Sequence, residues 1–287
     1  MIALLKPAEL LLRGVNRLRR KLYQLGVVKS RRLPRPVISV GNITLGGAGK
    51  TPTVIAIARD LTRRGMRVAV LTRGYGRSSN ESGVITSSDA ARWGDEPVMI
   101  KNSVANLDVV VGSKRYDNAI QYLAVNDCDV FVLDDGFQHL QLARDIDVVV
   151  EAQGPRLLRE GRSALRNASF VIARRLKLTG AGQIAGKRVY AFSGLADNEQ
   201  FFATLRDSGA TLVGTSSFRD HHPYSEADVA AIRAAASESG AELIVTTEKD
   251  AVKLPNASDL VAIGIEMEID SSVLDAIAEA VLRGRLL

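Results

Sequence analysis

From residue 37 onward the apolar residues fall into short continuous runs, separated by stretches with helical spacing. Val37–Val40, Val68–Thr72, Asp108–Val111, Val130–Leu133, Ile146–Val150, Phe170–Ala173, Val189–Phe192, Leu212–Thr215, Leu243–Thr246 and Val261–Ile265 read as strands. Several are unbroken Val/Ile/Leu runs rather than alternating ones, the pattern of strands covered on both faces. Segments 50–64, 114–125, 198–208, 225–238 and 271–283 carry the 3–4 residue period of helices. The pattern predicts an α/β fold with largely parallel sheets and helices on both sides. A chain of 287 residues is long for one core. The weakly periodic stretch LKLTGAGQIAGK, residues 176–187, marks the expected boundary between a unit at 36–180 and a smaller one at 181–287.

The first 35 residues are different. Leu11, Val15, Leu18, Leu22 and Leu25 form one stripe of a helix predicted over 8–25, with Arg13, Arg17 and Arg20 on another face. Residues 1–35 hold ten Lys/Arg against the single acid Glu9, a net +9, so the chain total of +6 leaves −3 for the rest. Such a helix can lie on an anionic membrane surface, leucines among acyl chains and arginines on phosphates. The same stripe could instead dock on the protein's own domain. A basic arm gripping nucleic acid fits less well with an acidic body, and 5% aromatics with one Trp argue against base stacking. No apolar run approaches a membrane span, and Met-Ile-Ala-Leu-Leu, cut by Lys6 and Pro7, is too short for a signal peptide's core. The lone Cys128 excludes an internal disulfide and fits a small core residue in a reducing compartment.

The first strand runs into GNITLGGAGKTPT, residues 41–53. Its Gly-Lys-Thr tail is that of a phosphate-binding loop, although Thr44 stands where the first glycine of G-x-x-x-x-G-K-[ST] belongs. A plain strand-to-helix turn is the alternative. The strand–loop–helix context favours a nucleotide site. Gly46, Gly47, Ala48 and Gly49 would turn backbone N–H groups toward phosphate oxygens, Lys50 would reach the β/γ-phosphates, and Thr51 would face Mg²⁺. Pro52 is tolerated in a first helical turn. Val130–Asp135 adds an apolar strand ending in two acids, suited to ordering Mg²⁺. A guanine-reading motif is missing, since Lys249 and Asp250 are adjacent, so ATP is the expected nucleotide. A membrane-cycling partition ATPase is the rival, disfavoured because Leu45 occupies its signature-lysine position.

Further polar blocks follow in order: Arg73-Gly-Tyr-Gly-Arg77, Gly94-Asp-Glu-Pro97, Asp134-Asp-Gly-Phe-Gln-His139, Asp220-His-His-Pro-Tyr224 and Thr246-Thr-Glu-Lys-Asp-Ala-Val-Lys253. With the glycine loop they resemble the tetraacyldisaccharide 4′-kinases of lipid A assembly, along nearly the whole chain. The resemblance implies two Rossmann-like domains with the active site in the cleft between them. It implies transfer of the γ-phosphoryl of ATP to the 4′-hydroxyl of a tetraacylated glucosamine disaccharide 1-phosphate. It further implies a peripheral location on the cytoplasmic face of the bacterial inner membrane, with residues 1–35 as the associating arm. No nucleic acid and no obligate protein partner are expected.

A kinase needs a carboxylate near the γ-phosphate to accept the attacking hydroxyl's proton. The resemblance assigns this to Asp95 with His221 as partner, leaving His222 open, and adds Lys50 and Asp135 to the catalytic set. Thr51, Glu96 and Asp134 are the candidate Mg²⁺ ligands, and Thr44, Gly46–Gly49, Lys50, Thr51 and Pro52 the candidate ATP contacts. Arg73, Tyr75, Arg77, Gln138, His139 and Arg166 are the candidate lipid contacts, Arg being suited to bidentate phosphate binding. Arg77 could equally belong to the flexible loop that follows it. The block Arg156–Arg166 carries Asn167 where Glu-Pro is expected after Leu-Arg.

Overall fold

The computed structural model describes residues 6–45, 49–151, 157–254 and 258–284. Gly46, Gly47 and Ala48 of the glycine loop lie outside the described residues.

The first body is built on a seven-stranded sheet. Its strands are β1 (Val37–Gly41), β2 (Val68–Thr72), β3 (Gly83–Val84), β4 (Asp108–Val111), β5 (Val130–Asp134), β6 (Ile146–Glu151) and β7 (Phe170–Ala173), in the order β3-β4-β2-β5-β1-β6-β7. All pairings are parallel except β3 with β4. Alternate residues of each central strand serve opposite cores. Ile38, Val40, Val68, Val70, Val130 and Val132 face one, Val37, Ala69, Leu71, Phe131 and Leu133 the other. The apolar runs are therefore continuous because neither face meets water.

Helix α1 (Lys6–Gln24) precedes the sheet; α2 (Lys50–Arg63), α3 (Ala90–Trp93), α4 (Asp95–Ser103) and α5 (Arg115–Leu123) connect its strands. Helices α2 and α4 cover one face through Val54, Ile57, Leu61, Val98 and Ile100, while Ala119 and Tyr122 of α5 cover the other. Connections from β1 run toward β2 and β4, whereas the chain leaves β5 for β6 on the other side of β1. The C-terminal ends of β1 and β5 thus flank the switch point at which open parallel sheets bind ligands.

The second body has the strand order β10-β9-β11-β12-β8, from β8 (Leu176–Thr179), β9 (Arg188–Ser193), β10 (Thr211–Ser217), β11 (Leu243–Thr247) and β12 (Leu260–Met267). Only β8 runs antiparallel. Short α6 (Ala181–Ile184), α7 (Asn198–Asp207), α8 (Glu226–Glu238) and α9 (Glu248–Ala251) complete it, with Phe201, Phe202 and Leu205 on one face and Ile232 and Ala236 on the other. The expectation of two α/β/α bodies with mainly parallel sheets holds.

The boundary at 180/181 does not follow the sheets. β8 already belongs to the second sheet, and α10 (Ser271–Gly284) returns to the first core, where Ile277, Ala278 and Val281 are buried. The Leu-Lys-Leu-Thr of β8 offers only two apolar positions and no apolar run, unlike the equally short β7, and an amphipathic helix does not reveal which sheet it covers.

The arm docks through polar residues. Asn16 donates to the Arg159 carbonyl at 2.9 Å, and Arg20 makes a buried pair with Glu160, donating to both carboxylate oxygens at 2.9 Å and to the Phe137 carbonyl at 3.1 Å. Leu10, Leu11, Val15 and Leu18 point away from the protein and are mostly exposed. Docking of the leucine stripe on the protein's own domain is thereby excluded. Among the described residues no helix is long and apolar enough to cross a membrane.

Candidate active site

The switch point opens into a cleft of about 730 Å³ between the two bodies. Pairing of Val40 with Asp134 brings the loop after β1 beside the acids ending β5. Gly49 caps α2 in the left-handed region (φ 84°), and Lys50, Thr51 and Pro52 form the first turn, so the positive end of α2 faces the cleft. The Lys50 ammonium lies 3.6 Å from Asp135, which Arg159 contacts from the other side at 3.1 Å. Burial pushes the Asp135 carboxyl up, but Lys50 and Arg159 outweigh it and hold the group below the usual carboxylate value. At Asp134 the attraction of Lys50 is outweighed. Asp134 is buried and accepts a 3.0 Å hydrogen bond from Thr72, and burial, with Glu96 and Asp135 nearby, pushes it up to about 7. That surplus of negative charge is what a divalent cation offsets. Thr51, Glu96 and Asp134 all line this part of the cleft. Among the described residues no group of three or more acids or histidines forms a ready metal cage, so bound phosphate and water would have to complete one.

Asp95 and Glu96 open α4, after Gly94 at φ 96°. Asp95 is 8% exposed, and its Oδ2 is 3.0 Å from Nδ1 of His221, which the second body supplies. His222 turns the other way, bonding Asp228 at 3.1 Å and stacking on Phe218. The two histidines are thus distinguished. His221 has φ 60° and Asp135 φ 51°, two of three non-glycine residues with positive φ among those described. Such backbone costs about 1 kcal/mol or more and concentrates at working sites. The turn Arg73-Gly-Tyr-Gly-Arg77 also depends on its conformation. Gly74 has φ 70°, and a Cβ there would sit 2.5 Å from Val111 and 3.1 Å from the Trp93 carbonyl. The turn holds Tyr75 edge-on to His221 at 5.9 Å.

The remaining expected contacts divide. Arg73, Tyr75, Gln138 and His139 line the cleft. Gln138 donates through its amide nitrogen to the Asn42 carbonyl and Glu160, which leaves its carbonyl oxygen unpartnered. Burial pushes the His139 imidazole down to about 4, and Arg115, Arg144, Arg19 and Arg73 act in the same sense. The ring is neutral at physiological pH in a cationic wall. Three expected contacts do not line the cleft. Thr44 is buried with its hydroxyl bonded to Asn42 at 2.9 Å, a bond that shapes the loop without facing the cleft. Arg77 bends onto the Glu81 carbonyl within its own loop. Arg166 sits exposed on the 3-10 turn Arg162–Asn167, and the arginine facing the cleft is Arg159. Arg159 lies in a second Leu-Arg run of the same block, Leu158-Arg159-Glu160, followed by Gly161.

Sequence reasoning missed Arg19, Arg115 and Lys249, which also line the cleft. Arg115 is 6% exposed with its Nε unpartnered, a cation held ready for an anion. Its position just after β4, at the same sheet edge as Arg73, was the available signal.

A parallel sheet that delivers a lysine and acids to one edge, closed by a second sheet carrying a histidine, defines a two-bodied phosphotransferase. The tetraacyldisaccharide-1-P 4′-kinase family profile matches residues 1–179 and 152–283. Tetraacyldisaccharide 4′-kinase of Geobacter metallireducens is 38% identical, covering 90% of each chain. That of Pelobacter propionicus is 36% identical, covering 98% of this chain and 89% of its own. The crystal structure of LpxK from Aquifex aeolicus in complex with ATP superposes with a TM-score of 0.80 at 27% identity, covering 98% of this chain and 99% of the other. The chain belongs to the tetraacyldisaccharide 4′-kinase family.

Proposed function

We propose that this protein transfers the γ-phosphoryl group of ATP to the 4′-hydroxyl of a tetraacylated glucosamine disaccharide 1-phosphate, a late step of lipid A biosynthesis. The observation that supports the site assignment is the Asp95–His221 contact, which joins a carboxylate of the first body to an imidazole of the second beside the cleft, next to its lining residues Glu96, Tyr75 and Lys249. Family membership carries the reaction.

Asp95 accepts the proton of the 4′-hydroxyl as that oxygen bonds to the γ-phosphorus. The bond from phosphorus to the bridging oxygen breaks, and ADP leaves with the electron pair. His221 holds the carboxylate in place. Lys50 leaves Asp135 for the phosphate oxygens, and the N–H groups at the start of α2 face the same anion. Thr51, Glu96 and Asp134 would hold Mg²⁺, which supplies charge neutralisation at the phosphates. Arg73, Arg115, Arg159 and the neutral His139 form a cationic wall suited to the anionic disaccharide headgroup. The outward stripe of Leu10, Leu11, Val15 and Leu18 beside basic residues supports peripheral docking on the anionic cytoplasmic face of the inner membrane. The body from β1 to β7 serves as the nucleotide-binding unit, and the β8–β12 body brings His221 to it.

The test is incubation with ATP, Mg²⁺ and tetraacyldisaccharide 1-phosphate, followed by mass analysis of the lipid. A single phosphate added at the 4′ position is expected. Free phosphate with unmodified lipid would sink the proposal.

A further inference from the structure

Behind the Asp95–His221 pair stand two lysines one helical turn apart, Lys249 in α9 and Lys253 just past it. The Lys253 side chain is only 7% exposed. Its ammonium donates to Asp250 Oδ1 at 2.8 Å and to the His222 carbonyl at 3.2 Å, and forms an ion pair with Asp95 Oδ2 at 3.5 Å. Asp250 is fully buried, and its other oxygen accepts from the Gly194 N–H at 2.9 Å and the Thr247 hydroxyl at 2.8 Å. Asp250 is therefore a fixed anchor that aims Lys253 out of the second body at a carboxylate of the first.

Lys249 acts on the other end of the pair. Its ammonium is bonded to Asp220 at 2.8 Å and lies 3.4 Å from His221 Nε2. An ammonium has no lone pair, so a hydrogen bond between the two requires Nε2 as the acceptor. The ring proton then resides on Nδ1 and is donated to Asp95. Asp220 lies 3.8 Å from the same Nε2, Glu96 adjoins Asp95, and the Tyr75 and Tyr224 rings flank the cluster.

We propose that Lys249 and Lys253 are positioning residues that set the proton arrangement of the catalytic pair. Lys253 holds Asp95 as an oriented carboxylate, and Lys249 holds His221 as the neutral Nδ1–H tautomer. Both lysines belong to the second body, so the base is ready to accept a proton only when that body is docked on the first. The inference rests on Asp95 being the base of the proposed reaction.

Kinetics and ¹⁵N NMR of the ring test it together, and with three histidines in the chain the ring signals can be assigned by single substitutions. Lys253→Met is expected to lower kcat by roughly 10²-fold, the effect of a misplaced reacting group, with the KM for ATP changed by less than about twofold. Lys253→Arg should recover part of the loss. Because Lys253→Met strands a buried Asp250, the double variant Lys253→Met/Asp250→Asn is measured beside it; it removes both charges and should fold while remaining slow. In Lys249→Met the His221 nitrogens should lose the single-tautomer pattern of the native protein. Native kcat in both Lys253→Met and the double variant, or an unchanged His221 spectrum in Lys249→Met, would overturn the proposal. Asp95→Ala separates the layers: if it remains fully active the base assignment itself fails, whereas an inactive Asp95→Ala beside native-like lysine variants removes only the lysines.

Discussion

Asp95 and His221 are 126 positions apart in the chain and 3.0 Å apart in space, one supplied by each body. The contact makes the competent site a property of two bodies rather than one.

Removing either partner should therefore act on chemistry more than on nucleotide binding. Asp95→Ala and His221→Ala are each expected to lower kcat by about 10²- to 10⁴-fold, the range for a general base. ATP affinity, measured by calorimetry, should be near native. His222→Ala, which loses a contact to Asp228 on the far side, should keep most of its activity.

Lys50→Ala should abolish phosphoryl transfer and weaken ATP binding while leaving thermal unfolding nearly unchanged. Its partner Asp135 retains Arg159 and is 39% exposed, so the lost ion pair contributes less than about 1 kcal/mol to folding. A large fall in Tm without loss of turnover would contradict the role assigned to it.

Asp134 gives the nucleotide-free protein a pH dependence of definite sign. The unfolded chain releases this proton near pH ~4, the folded chain only at about 7. Between those values the folded state binds more protons, so stability falls as pH rises through the window and levels off above it. Asp134→Asn should flatten the Tm–pH curve between pH 4 and 7. Mg²⁺ with nucleotide favours the ionised carboxyl and should raise Tm most at and above pH 7.

The arm can be separated into two functions by choosing the face. Leu11→Asp with Leu18→Asp changes exposed positions and should reduce flotation with anionic vesicles while leaving Tm unchanged. Arg20→Met strands the buried Glu160 and should destabilise the protein by about 3 kcal/mol. It should also loosen Gln138, which shares that carboxylate. Deleting residues 1–25 would combine the two effects.

Much of this was legible in the chain. Val37–Gly41 followed by Gly49-Lys50-Thr51 announces strand, loop and helix, because a buried parallel strand requires an unbroken apolar run and a phosphate-facing helix start requires glycine before it. The acids ending β5 and the leucine stripe of α1 are equally local signals. Several short elements were not legible. β3, β8, α3, α6 and α9 span two to four residues without a continuous apolar run, whereas the equally short β4 and β7 are apolar runs that mark themselves. α4, which carries Asp95, opens on polar residues and shows only a weak apolar face.

By itself the sequence determined the α/β class, the register of apolar runs that bury both faces of each sheet, the strand and helix that flank the glycine loop, and the basic arm, since each is written in spacings of two to four residues. Only the tertiary structure decided that His221 and not His222 meets Asp95, that Arg159 and not Arg166 faces the cleft, that Arg115 stands ready there, and that α10 returns to the first core. Those choices depend on which of two neighbouring side chains the fold turns inward. A rotation of the backbone at one residue, as at His221 with φ 60°, settles that choice, and no local pattern records it.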